Sequence, residues 1–241
     1  MRVESSFRVR GFQAEFWHPD TGAAEPAPYS FDGDRTRVPM ELEPHGSVLV
    51  VFRRASEVAS RDRAPAPSKE LARFDSNWAV RFQKGRGAPE SIVLDTLKSL
   101  SNHEDTGVRY FSGMATYSRP FEVERVWIEA ANRVWLDLGD VRDLAQVFVN
   151  GHDAGIVWKR LFRVDVSPFL KPGRNELEIR VANVWRNRVV GDQVMNGESP
   201  VARHNPTQGG FFTFMGREIS KDTPLLDSGL LGPVVLSTQA R

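Results

Sequence analysis

No cysteine occurs anywhere in the chain, which excludes disulfides, thiolate catalysis and a cysteine-ligated zinc site while leaving the cellular compartment open. An excess of either charge is equally absent: 32 Lys and Arg stand against 31 Asp and Glu, a net charge of +1. Without a basic field, nucleic acid and anionic membrane drop out as principal partners. No apolar run approaches the length of a membrane span, and the first residues lack the apolar core of a signal peptide, so any export signal is expected outside this sequence. Alternation of strand, helix and strand is missing too, so there are no βα units from which a barrel could be built. What remains is 241 residues, 40% of them hydrophobic, enough to bury a substantial core in one large β domain or two smaller ones.

The hydrophobic period is two nearly everywhere, which predicts half-buried strands. Phe7 to Phe12, Arg37 to Leu42 and Ser47 to Phe52 read as a small antiparallel sheet. The last is apolar on both faces and is expected to be central and covered. Glu15 to Asp34 reads as a long loop rich in Gly, Pro and Asp. Charge, Ala and the two prolines Pro65 and Pro67 then mark a surface connector. The expected organisation is a β segment over 1–55, a linker over 56–72 and a larger domain over 73–241.

In that larger domain, strands are expected at Trp78 to Phe82, Pro89 to Asp95, Met114 to Phe121, Val126 to Ala130, Arg133 to Leu138, Ala145 to Val149, Gly155 to Trp158, Leu161 to Val166 and Glu176 to Val181. Asn150-Gly151 is the strongest hairpin signal, because both residues accept the positive φ of a type I′ turn. Ser167 to Leu170 suits a single helical turn, and Pro172-Gly173 a tight turn. Eight or more short strands at near-regular spacing argue for an all-β sandwich of the jelly-roll kind, with function in the loops at its ends.

One loop stands out. Asn183, Trp185, Asn187, Arg188 and Asp192 place an aromatic face, two amides, a fork of N–H donors and a carboxylate within ten residues of a strand end. A saccharide needs that mixture, since its C–H faces stack on an aromatic plane while its hydroxyls require paired donors and acceptors. The same residues also serve to hold turns and to pin a strand end with an Arg188–Asp192 ion pair. Of six tryptophans, Trp78, Trp127 and Trp135 lie in alternating strands and read as core. Trp158 and Trp185 read as loop-exposed, and Trp158 joins the candidate binding residues.

The order of motifs through the chain resembles the C-terminal region of family 106 glycoside hydrolases, the α-L-rhamnosidase family. The matching pieces include Ser6 to Gly11, Glu15 to Gly22, Gly46 to Phe52, Arg109 to Tyr117, Leu136 to Val141, Val149 to Gly151, Leu170 to Asn175, Trp185 to Asp192 and Ser228 to Val234. The Tyr117 region, the Asn-Gly pair and the Lys-Pro-Gly-x-Asn turn are also similar to the sugar-binding jelly-roll domain of family 2 glycosidases. The resemblance implies a galactose-binding-like β-sandwich and a parent enzyme that is often periplasmic or secreted. It also implies that the catalytic carboxylates lie on a barrel preceding the region matched here. The chain is then expected to be the non-catalytic tail of a rhamnosidase, cut from a longer protein or encoded by a short gene. Its implied partners are rhamnose-containing oligosaccharides or plant and microbial glycans, and the missing barrel.

Self-contained hydrolysis would need two carboxylates roughly 5 to 10 Å apart across the scissile bond. Glu15, Glu198 and Glu218 are carboxylates in polar stretches that no spacing pairs. The histidines at 18, 45, 103, 152 and 204 never fall in a metal-ligand spacing. No cofactor is expected; Asp137, Asp140 and Asp143 carry oxygens suited to structural calcium, or cap a short helix beside a Gly turn. Two other functions stay open: a free-standing carbohydrate-binding module, and an architectural domain with no ligand. A loop cluster lined by Trp and Arg favours binding, and an exposed apolar patch favours the architectural role.

Overall fold

Period-two alternation becomes antiparallel strand in both halves of the molecule. The computed structural model describes residues 1–19, 22–42, 46–62, 68–129, 133–196 and 219–239. Contacts divide the chain into two units, Met1–Pro67 with Lys159–Leu161, and Ser68–Trp158 with Phe162–Arg241.

The first unit holds β1 (Arg2–Phe7), β2 (Phe12–Trp17), β3 (Ala24–Pro26), β4 (Tyr29–Asp32), β5 (Arg35–Glu41), β6 (Leu49–Ala55) and β7 (Ser60–Arg61). They form two sheets, ordered β1-β5-β4-β7 and β3-β2-β6. Ala14, Ala27, Tyr29 and Val38 make the core, with Phe7, Phe16, Phe31 and Phe52 packed on it. Three details depart from the sequence reading. The first run breaks at Gly11, whose φ of 81° turns the chain between β1 and β2. The expected loop from Glu15 to Asp34 contains the second half of β2 and all of β3 and β4, because the last two are too short for alternation to register. Finally, β6 is an edge strand rather than a central one: Val50 and Phe52 pack on the core while Leu49 stays exposed.

The second unit comprises β8 (Ser68–Arg73), β9 (Ser76–Phe82), β10 (Ser91–Thr96), α1 (Thr106–Arg109), β11 (Met114–Val123), α2 (Arg125–Glu129), β12 (Arg133–Asp137), β13 (Asp140–Arg142), β14 (Leu144–Val149) and β15 (His152–Val157). After these come β16 (Arg163–Asp165), β17 (Gly173–Ala182), α3 (Arg186–Asn196), β18 (Gly229–Gly232) and β19 (Val235–Gln239). A six-stranded sheet, β10-β9-β11-β17-β14-β15, faces a four-stranded one, β16-β12-β19-β8, and β13 pairs with β18. Trp78, Tyr117 and Ile179 from the first sheet and Leu136 and Leu236 from the second are fully buried in one cluster. The fold is an all-β jelly-roll sandwich preceded by a small antiparallel β segment. The span 56–72, read from sequence as a linker, contains β7 and most of β8, the latter paired with β19.

Two apolar stretches are helical where strand or loop was expected. Val126 to Ala130 falls largely in α2, a single turn whose Trp127 and Ile128 pack on the core. Trp185 to Asp192 leads into α3, whose inner side buries Val189 and Val190.

Polar side chains tie the sandwich together at defined points. Tyr117 Oη accepts the Leu230 N–H at 3.2 Å, and burial pushes its pKa well up, keeping the phenol neutral. Asn175, fully buried, accepts from Asn150 Nδ2 and Lys171 N through Oδ1 and donates to the Lys171 and Gly173 carbonyls. The Lys-Pro-Gly-x-Asn motif and the Asn-Gly hairpin are thus one hydrogen-bonded unit, at the far end of β17 from Asn183.

Candidate functional site

β17 delivers the chain to the site with its parity fixed. Leu177, Ile179 and Val181 point into the core. The strand then ends, and the Asn183 N–H donates to the Gly113 carbonyl at 3.1 Å. Ser112 Oγ donates to the Val184 carbonyl at 2.6 Å, so the exit from β17 is clamped against the start of β11 from both sides.

From there the candidate residues divide. Asn187 is 2% exposed, and its amide makes a two-way pair with the backbone of Leu226: Nδ2 donates to the carbonyl at 2.7 Å and Oδ1 accepts the N–H at 2.8 Å. Asp192 is 0% exposed and accepts from Arg188 Nε at 2.8 Å, one helical turn apart within α3. Arg188 also donates through Nη1 to the Arg86 carbonyl at 2.6 Å. Asn183 Oδ1 accepts the Gly229 N–H at 3.0 Å. The ion pair foreseen for Arg188 and Asp192 therefore exists, but it sits inside a helix rather than at a strand end.

The two tryptophans differ. Trp185, immediately before α3, is 44% exposed, and the Arg86 guanidinium lies over its ring with Cζ 4.7 Å from the centroid. Trp158 is 65% exposed, and among the described residues its side chain makes no hydrogen bond, ion pair or ring contact. It follows Val157, which pairs with Ala145, itself paired with Val181. Trp158 thus emerges at the same end of the six-stranded sheet as Asn183, two strands away. The structure brings Asn183, Trp185, Asn187, Arg188 and Asp192 into one corner and places Trp158 beside it on the sheet. The adjoining cross-strand row carries Met114 and Leu144, both exposed, flanking Ala182.

The loop carrying Arg86 and Gly87 is the part of the corner that the sequence did not announce. A Cβ built on Gly87 would lie 2.7 Å from Arg188 Nη1, so glycine makes room for the guanidinium. Gly191 has the same role against Tyr110, 2.4 Å from a Cβ in its place. The one local hint was the Gly85-Arg86-Gly87-Ala88-Pro89 composition, which marks a loop but not its partner.

Among the described residues, Glu15 is held by an indole and two arginines. It is 6% exposed, accepts from Trp17 Nε1 at 3.0 Å and Arg53 Nε at 2.8 Å, and has Arg54 at 3.4 Å. Those hydrogen bonds hold its pKa below the usual carboxylate value, so it stays ionised. Glu198, Glu218, His45 and His204 lie outside the described residues. Asp137 accepts the Gly139 N–H at 2.8 Å and Asp140 pairs with Arg142 at 2.7 Å. Among the described residues no group of three or more His, Asp and Glu is placed to hold a metal.

Comparison with known proteins agrees with this architecture. The model of the glycosyl hydrolase 2 galactose-binding domain-like family matches residues 98–207. The structure of a rhamnosidase from Novosphingobium sp. PP1Y superposes with a TM-score of 0.83 at 42% identity, covering 99% of this chain and 21% of that one. A curated protein from Formosa agariphila named "Putative beta-glucuronidase" is 34% identical over 174 residues, covering 66% of this chain and 15% of its own length. The chain thus spans about a fifth or less of the relatives it matches.

Proposed function

We propose that this chain, a glycosidase-like β-sandwich region with a galactose-binding-like domain, acts as the non-catalytic carbohydrate-binding region of an α-L-rhamnosidase-like glycoside hydrolase. The observation that carries the reading is Trp185: an indole left 44% exposed beside the Arg86 guanidinium, on a frame held in place by hydrogen bonds. Asn187 spends both ends of its amide on the Leu226 backbone and Arg188 binds Asp192 and the Arg86 carbonyl, so these residues position the aromatic plane, while Asn183 gives its Oδ1 to Gly229. A preset plane loses little conformational entropy on binding, which suits weak recognition of a sugar's C–H face. Trp158 supplies a second exposed indole at the same end of the sheet.

The test is calorimetric binding of a rhamnose-containing oligosaccharide to the wild type and to Trp185→Ala, with thermal unfolding and aryl α-L-rhamnoside turnover measured on the same samples. The reading predicts binding by the wild type, loss of binding with little loss of stability in the variant, and no turnover by either. A variant that keeps its affinity but loses the 3 to 5 kcal/mol usual for a deleted buried aromatic would assign Trp185 to packing instead.

A second, architectural reading has its own support in the exposed row of Met114, Leu144 and Trp158 on the outer face of the six-stranded sheet. Trp158→Ala separates it from the first: a sugar-contacting Trp158 weakens glycan affinity on removal, whereas an architectural one leaves it unchanged.

A further inference from the structure

Three arginines meet around Trp185. Arg86 lies over the indole, Arg186 follows it in the chain, and Arg188 closes the frame by pairing with Asp192. Arg188 is committed to Asp192 and to the Arg86 carbonyl. Arg186 donates through Nη2 to the Pro224 carbonyl at 3.2 Å, and its buried Nε has no partner. The Arg86 side chain has neither a hydrogen bond nor a carboxylate among the described residues, only the Trp185 ring. A guanidinium that meets an indole through cation–π attraction leaves its N–H donors unspent.

We propose, resting on the saccharide-binding reading above, that this corner selects acidic saccharides, the carboxylate of a uronic acid residue being taken by the free Arg86 fork while the adjoining pyranose stacks on Trp185. The planar fork matches a carboxylate with two parallel hydrogen bonds. Neutral hydroxyls would use the same donors less strongly, so the acid and its uncharged derivative should differ in affinity.

The experiment measures calorimetric affinity of a rhamnosyl uronate disaccharide, its neutral methyl ester and a sulfated neutral disaccharide for the wild type, Arg86→Gln, Arg86→Lys and Trp185→Ala. The expected result is about tenfold tighter binding of the acid than of the ester by the wild type. That advantage should shrink as salt is raised, disappear in Arg86→Gln and survive in part in Arg86→Lys, while Trp185→Ala loses both ligands. Equal affinity for acid and ester in the wild type overturns the acidic selectivity but leaves saccharide binding standing. Binding of neither overturns the saccharide reading itself. Preference for the sulfated sugar over the acid overturns the assignment to a uronate, and an acid advantage that persists in Arg86→Gln overturns the role of Arg86.

Discussion

Asn187 shows how a residue of sugar-binding type can be consumed by the fold. Both ends of its amide are spent on Leu226, 39 residues along the chain, so the side chain ties α3 to the segment that leads into β18. Asn187→Ala should lower stability by about 1 to 3 kcal/mol, because it removes a buried side chain together with both of its hydrogen bonds. Denaturant unfolding checks this, and an unchanged midpoint would contradict it. Glu15 makes a pH-dependent contribution of the opposite kind. Its carboxyl is held below the ordinary value of 4.5 by Trp17 and Arg53, so the stabilisation is present above that pH and fades as pH falls through the lowered pKa. Amide-exchange protection along β2, corrected for intrinsic rates, should therefore decline below pH 4.5 in the wild type, and Glu15→Gln should flatten that decline. At this scale the exposure of Trp158 and Trp185 could be read from their polar surroundings. The Arg188–Asp192 pair could be read as well, but the Leu226 partner of Asn187 and the Arg86 partner of Arg188 could not, since they lie 39 and 102 residues away and leave no trace in local spacing.

Among the elements, the hairpin of β14 and β15 was the most legible because its chemistry is local. Asn150 and Gly151 have φ of 52° and 81°, as a type I′ turn demands. Gly151→Val should cost about 1 kcal/mol or more although nothing crowds the site, since a β-branched residue resists positive φ. A melting temperature equal to the wild type would contradict that account of the turn. The helices were less legible. Val126-Trp127-Ile128 reads as strand by composition, yet the core takes it as a helical turn. In α3, Asn187 and Gly191 are poor helix formers that obscured the signal; Arg188 and Asp192 at i and i+4, with Val189 and Val190 between them, carried it. What stabilises α3 is tertiary: buried valines, and a glycine that lets Tyr110 approach.

At the level of the whole molecule, the number and spacing of short alternating strands sufficed to predict a jelly-roll sandwich, although most pairs join strands distant in sequence, as β11 with β17 and β8 with β19 do. They could not predict which loops converge at one end of the six-stranded sheet. That convergence joins the Arg86 loop, the exit from β17 and the segment around Leu226 into one frame, and presents Trp185 on it. The central claim is that this frame holds Trp185 ready for a saccharide. The most direct measurement follows the indole N–H resonances of all six tryptophans while a rhamnose-containing oligosaccharide is added. The account predicts a saturable shift at Trp185 with Trp78, sealed in the core, unmoved. An unshifted Trp185 at saturating glycan would contradict it.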